Sequence, residues 1–163
     1  MRTQLEFITH GAEVQRYHTV TTLKTETVGH HSHGVALICL LLDPYCSRQL
    51  LTAALVHDLA EQHVGDIPSP AKRTLGFADK LDALEEEIIN RDLGYLRAPL
   101  TSDEQRMLKL ADIAQGALKC VRELQLGNSC MRVVFDRYMS YAASMSPEGR
   151  EAELFNAIKE IAK

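Results

Sequence analysis

Apolar positions recur along this chain at helical spacing. In "ADKLDALEEEIINRDLG", Leu81, Leu84, Ile88 and Ile89 fall on one face, with charged residues opposite, which predicts an amphipathic helix. "TQLEFITHGAEVQ" predicts a first helix that breaks at Gly11 or soon after. "RYHTVTTLKTETVG", rich in Thr and β-branched residues, predicts an extended loop. "HSHGVALICLLLD" predicts a second helix ending before Pro44, and "SRQLLTAALVHDLAEQHV" a third, with Ser47 as N-cap. "GDIPSPAKRTLG" has prolines at 68 and 70 and predicts a loop. Ser102 to Leu126 predicts one long helix, opened by a "TSDE" capping box and closed by Gly127-Asn128. "MRVVFDRYMSYAAS" and "PEGREAELFNAIKEIAK" complete the pattern, with Pro147 near a helix start. No segment alternates as a strand does, so the fold class is all-α, a helical bundle in one domain spanning 1–163.

The third helix poses a chemical problem. Leu50, Leu51, Ala53, Ala54, Leu55, Val56, Leu59 and Ala60 make it apolar on nearly every side, yet His57 and Asp58 sit side by side within it. A lone carboxylate in such a setting costs several kcal/mol unless it is paired or bound to a cation. Neighbouring residues lie about 100° apart on a helix and do not face each other, but both can converge on one ion. Glu61 follows on the same helical side, and Asp66 lies in the loop beyond. Upstream, "VGHHSHG" supplies His30, His31 and His33; downstream, Asp112 interrupts an otherwise apolar helical face. Imidazole and carboxylate together suit Zn, Mn, Co or Fe. Such an ion acidifies a bound water, and Glu61, one helical turn from His57, is placed to orient or deprotonate it.

Composition narrows the partners. Apolar residues make up 45% of the 163 and charged residues 25%, the balance of an ordinary globular protein. The net charge of −4, without a run of like charges, argues against a nucleic-acid surface or a membrane patch. The longest apolar stretch, Val35 to Leu42, is far short of the roughly 20 residues of a membrane span. "MRTQLEFITH" lacks an apolar signal core and the four cysteines form no CxxC pair, so reduced thiols in the cytoplasm are expected. Positive contacts to an anionic ligand must then be local, and Arg16, Lys24, Lys72 and Lys109 are the candidates.

The strings "RYHTVTTLKTETVGHHSHGVA", "LLTAALVHDLAEQHVGDIPSPAK" and "SDEQRMLKLADIAQGALKCVRELQLGN" resemble the HD-domain phosphohydrolases, whose ordered pattern is H…HD…D, and within them the bacterial 5′-deoxynucleotidase branch. The resemblance covers about residues 2–145. It implies a helical bundle with one divalent transition metal (Zn, Co or Mn) between helices, held by His31, His57, Asp58 and Asp112. His31 takes the ligand slot because it directly precedes Ser32. It assigns Glu61 and Asp66 as the acid/base pair, places basic residues near Arg16, Lys24, Lys72 and Lys109 against a phosphate chain, and allows further Mg, Mn or Co ions with a triphosphate.

"RYHT" is closer to a branch that includes phage dATP triphosphohydrolases of 2-aminoadenine genomes. There the residues matching Tyr17 and Val20, with Thr19 between them, shape an adenine pocket. The resemblance therefore implies hydrolysis of dATP to deoxyadenosine. The alternatives are a broad 5′-deoxynucleotidase acting on monophosphates, a catalytically idle nucleotide-binding module, and a structural metal site in a helical interaction protein. Relatives assemble as dimers or hexamers, and Met139, Tyr141 and Phe155 are expected at an exposed apolar face of a homo-oligomer.

Overall fold

In a computed structural model, the backbone is described for residues 1–163, and the side chains for all of these except Ser69, Pro70 and Arg73. Its helices are α1 (Arg2–Glu13), α2 (Val28–Leu42), α3 (Arg48–Val56), α4 (Glu61–Val64), α5 (Ser69–Leu75), α6 (Ala78–Leu93), α7 (Ser102–Gln125), α8 (Arg132–Ser144) and α9 (Gly149–Ile161). Short 3₁₀ turns occupy Gly94–Leu96 and Ser129–Met131. The all-α expectation is met: among the described residues the only β feature is a single antiparallel bridge between Gln15 and Thr27. None of these helices is long and apolar enough to cross a membrane.

α7 is the axis of the bundle. It forms because Thr101 and Glu104 close a reciprocal capping box, and because Leu110, Ala111, Ile113, Ala114 and Ala117 give it a buried face. α2, α3, α8 and α9 pack around that face and build the larger core with Val35, Cys39, Leu50, Phe135 and Ile158. A second core of Phe7, Val28, Val56, Leu59, Ile88, Ile89 and Leu93 joins α1, the start of α2, the end of α3 and α6. The candidate site lies where α2 and α7 meet the end of α3.

Several boundaries differ from the sequence expectation. α2 begins at Val28, three residues before His31, because the Thr27 side chain caps the His30 N–H at 3.4 Å. This puts His31 inside the first turns of the helix. The third helix is not continuous: α3 ends at Val56 and α4 starts at Glu61. Between them the backbone tightens to three-residue hydrogen bonds, Leu59 N to Val56 O at 3.1 Å and Glu61 N to Asp58 O at 3.0 Å. That tightening lets neighbours 57 and 58 reach one point, which a regular helix would prevent. The "GDIPSPAKRTLG" loop contains α5, whose first turn is closed onto Pro68 O by the Ala71 and Lys72 N–H groups.

Burial also revises the apolar faces. Leu84 is 44% exposed, so α6 buries Leu81, Ile88, Ile89 and Leu93 instead. Phe155 is buried in the main core and Met139 is half-buried; of the three residues expected on an exposed face, only Tyr141 is exposed. Phe155 points inward because α9 packs directly on α7. The exposed large apolar side chains lie elsewhere, among them Leu37, Leu41 and Tyr45. Cys39 and Cys120 are buried, Cys46 is half-buried and Cys130 exposed, all as free thiols.

Candidate metal centre and adjoining cleft

Three elements bring the His and Asp side chains together. His31 comes from α2, His57 and Asp58 from the tightened turn after α3, and Asp112 from α7. One ligand atom each from His31, His57 and Asp112 lies within 4.8 Å of the others. Asp58 adjoins both imidazoles: Oδ1 is 3.3 Å from His57 Nε2 and Oδ2 is 3.4 Å from His31 Nε2. Asp112 Oδ1 lies 3.3 Å from His31 Nε2. His31 is fully buried, whereas His30 and His33 are exposed, so the geometry selects among the three histidines.

The donor set fits a divalent cation. His57 Nδ1 donates to the Ala54 carbonyl at 2.9 Å, which leaves Nε2 with a free lone pair. Neither His31 Nε2 nor His57 Nε2 has a hydrogen-bond partner among the described residues, although both are buried. Two orphaned imidazole nitrogens facing two carboxylates need a positive charge between them. Burial lowers the His57 pKa, against the pull of Asp58, and so favours the neutral ring a metal requires. Burial alone would raise Asp58 and Asp112. His57, Arg16 and His31 outweigh it at Asp58, and Lys109 and His31 do so at Asp112, holding both carboxyls below their usual range.

The acid/base candidates differ in setting. Glu61, the first residue of α4, is 5% exposed and its Oε2 has no partner among the described residues. Burial, then the charges of Asp58 and Asp66, push its carboxyl to about 9. Asp66 is half-buried and accepts the Tyr17 backbone N–H at 3.0 Å. That bond holds Tyr17 in the left-handed region at φ 61.

The positive residues are mostly engaged. Arg16 Nη1 donates to Asp58 Oδ2 at 2.6 Å, and Arg16 Nε lies 3.4 Å from Glu26 Oε2. Lys109 bonds Asp112 Oδ2 at 2.9 Å, and Lys72 lies 3.6 Å from Glu85. Lys24 is exposed and does not line the cleft; its backbone N–H instead donates to Glu123 at 2.9 Å. Tyr17 and Val20 do line a cleft of about 180 Å³, together with Thr19, Asp66, Val134 and Tyr138. Arg16 also lines it. The Tyr17 and Tyr138 hydroxyls meet at 3.0 Å. A Cβ on Gly116 would lie 2.5 Å from Tyr138 Cζ, so only glycine lets this ring rest on α7.

Sequence reasoning missed Glu26, Gln115, Glu123, Arg137 and Tyr138. Gln115 stands one turn after Asp112, which is a signal for a supporting residue on the same helix face. Tyr138 and Arg137 lie on α8, far from any recognised string, and only packing against α7 brings them to the cleft.

Comparison with known proteins gives the family and the fold. The family model of the YfbR-like 5′-deoxynucleotidases matches residues 5–158. A 5′-deoxynucleotidase of Cronobacter sakazakii is 28% identical over 139 residues, covering 71% of this chain and 70% of that protein. An HD-domain phosphohydrolase of Listeria innocua superposes with a TM-score of 0.75 at 17% identity, over 98% of this chain and 85% of the other. The cyanophage S-2L HD phosphohydrolase DatZ, solved with dA and one catalytic Zn²⁺, superposes with a TM-score of 0.67 at 18% identity, over 96% and 95%.

Proposed function

Since the chain belongs to the YfbR-like 5′-deoxynucleotidase family of metal-dependent phosphohydrolases, we propose that its site cleaves deoxynucleotide phosphoesters, converting dATP and water to deoxyadenosine with release of triphosphate or stepwise loss of phosphates. The observation that carries this reading is the convergence of His31, His57 and Asp112, with Asp58 against both imidazoles, beside a cleft lined by Arg16, Tyr17 and Asp66. His31, His57, Asp58 and Asp112 would hold a divalent ion, which would supply Lewis acidity toward water and the phosphoryl oxygens.

The protein's own groups do the rest. Glu61 Oε2 is buried and unpaired, so it can hold and return one proton beside the reacting phosphorus. Asp66 serves as the second acid/base at the cleft edge while keeping Tyr17 in place. Arg16 and Lys109 sit on oxygens of Asp58 and Asp112, where they can meet the charge of a phosphate group. Lys72, held 3.6 Å from Glu85, and the exposed Lys24 are further cations for a longer phosphate chain. Tyr17, Val20, Val134 and Tyr138 offer the apolar walls that a base stacks on, and exclude water from it.

A second reading is a 5′-deoxynucleotidase acting on monophosphates. It is favoured by the pairing of Arg16, Lys72 and Lys109 with carboxylates, which leaves less free charge for three phosphates. Product analysis separates the two, with dATP and dAMP at equal concentration and Mn²⁺, Co²⁺ or Zn²⁺ added. The proposal expects faster turnover of dATP. Faster release from dAMP selects the second reading, and no turnover of either overturns both.

A further inference from the structure

We propose that Glu26 and Gln115 are positioning residues that fix the tautomer of His31 and so present its Nε2 lone pair to the metal. The inference rests on the metal-site reading above. It starts from Glu26, buried in the Thr-rich loop ahead of α2. A carboxylate oxygen can only accept. Glu26 Oε1 lies 2.9 Å from Gln115 Nε2, so the amide must turn its NH₂ toward Glu26 and its carbonyl the other way. That carbonyl, Gln115 Oε1, is hydrogen-bonded to His31 Nδ1. An amide carbonyl also only accepts, so the proton of the neutral ring sits on Nδ1. Nε2 is left bare, and it is the atom that faces Asp58 and Asp112.

The chain is built into the packing of α2 on α7. Gln115 follows Asp112 by three residues, and Gly34 follows His31 by three, so the two stand opposite each other one turn beyond the ligands. A Cβ on Gly34 would lie 2.8 Å from Gln115 Cγ, too close for the amide to keep its place. Glycine in mid-helix costs roughly 0.5–1 kcal/mol relative to alanine, so the gap it leaves has a use here. Glu26 also serves the other ligand carboxylate: its Oε2 lies 3.4 Å from Arg16 Nε, and Arg16 holds Asp58. One buried carboxylate thus orients two ligands through two different side chains, the arrangement by which supporting residues tune a metal site.

The test uses metal-free protein labelled with ¹⁵N-histidine, the His31 resonances being those lost in His31→Gln. Long-range ¹H–¹⁵N spectra report which ring nitrogen carries the proton, and Co²⁺ titration followed by d–d absorption reports affinity. Wild type is expected to show His31 protonated at Nδ1. Gln115→Leu, which keeps bulk and removes the acceptor, is expected to lose that preference and to weaken Co²⁺ binding roughly 10–100-fold. Glu26→Gln, which frees the Gln115 amide to flip, is expected to move both readouts in the same direction. A wild-type ring protonated at Nε2 overturns the proposal, and it can be read whether or not a variant folds. A variant that loses affinity with the tautomer unchanged, or changes tautomer with affinity unchanged, overturns it as well. A wild type that shows the Nδ1 proton and binds Co²⁺ yet hydrolyses no nucleotide leaves this inference standing and removes the proposed function instead.

Discussion

Arg16 Nη1 lies 2.6 Å from Asp58 Oδ2, so the arginine proposed to meet a phosphate is bound to a carboxylate of the candidate metal centre. Both side chains are largely enclosed, Arg16 at 9% and Asp58 at 19% exposure. Removing one partner of such a pair leaves an uncompensated charge and costs about 3–5 kcal/mol. A bound divalent ion supplies a second cation to Asp58, so Arg16→Ala is expected to destabilise the metal-free protein more than the loaded one. Urea unfolding with chelator and with Mn²⁺ checks this. An equal loss in both states would show that Arg16 does not share Asp58 with an ion.

As the proposed acid/base group, Glu61 is expected to set both rate and pH dependence. Glu61→Gln is expected to bind metal as wild type does and to lose roughly 10²–10⁴-fold in turnover, the usual effect of a missing acid/base. In metal-free protein its folded pKa of about 9 stands above the ordinary 4.5 of the unfolded chain. The folded state therefore holds the proton more tightly, and the contribution to stability is full below about pH 4.5 and lost as pH rises toward 9. Glu61→Gln should flatten this part of the stability profile, measured by urea midpoints with chelator present. A profile unchanged by the substitution contradicts the buried proton.

Glu123 is the opposite case. Its fully buried carboxylate on α7 accepts from the Leu23 N–H at 2.7 Å, the Lys24 N–H at 2.9 Å, Asn128 Nδ2 at 2.9 Å and Lys119 Nζ at 2.7 Å. Burial alone would raise its pKa; these hydrogen bonds outweigh burial and hold it at about 2. Its contribution is present above the ordinary 4.5 and is lost as pH falls toward 2. The same bonds tie the loop that carries Tyr17 and Val20 to α7. Glu123→Ala, which strands Lys119, should cost about 3–5 kcal/mol and raise KM more than it lowers kcat. An unaltered KM in a folded variant would separate the loop from substrate binding.

Gly116 and Tyr138 set the cleft floor. Gly116→Ala places a Cβ where the Tyr138 ring now lies and should displace that ring into the nucleoside space. Overpacking of this kind costs about 1–3 kcal/mol. The expected signature is a raised KM for the nucleotide with metal affinity intact. Tyr138→Phe keeps the ring but removes the 3.0 Å contact with Tyr17, and a smaller rise in KM is expected. Steady-state kinetics with both variants checks the order.

The helices were legible in the sequence because their signals are local: the Thr101–Glu104 capping box and the apolar face of α7 each lie within a few turns. The break after Val56 was not. Propensity favours a continuous helix through Leu59 and Ala60, and no local signal marks the tightened turn by which residues 57 and 58 reach one point. The His and Asp set was legible as strings, and burial then singled out His31 from its neighbours. The residues that support and floor the site were not: Glu26, Gln115 and Tyr138 act across 89 and 121 positions of sequence, and only the packed bundle joins them. For the same reason the pairing of Arg16, a candidate for an anionic ligand, with Asp58 was not legible either.

The account stands on one shared ion, and an anomalous difference map of crystals soaked in Zn²⁺ or Co²⁺ tests it most directly. The predicted result is one strong peak per chain within about 2.0–2.2 Å of the Nε2 atoms of His31 and His57 and of carboxylate oxygens from Asp58 and Asp112. A map with its peak elsewhere, or with none near these four side chains, contradicts it.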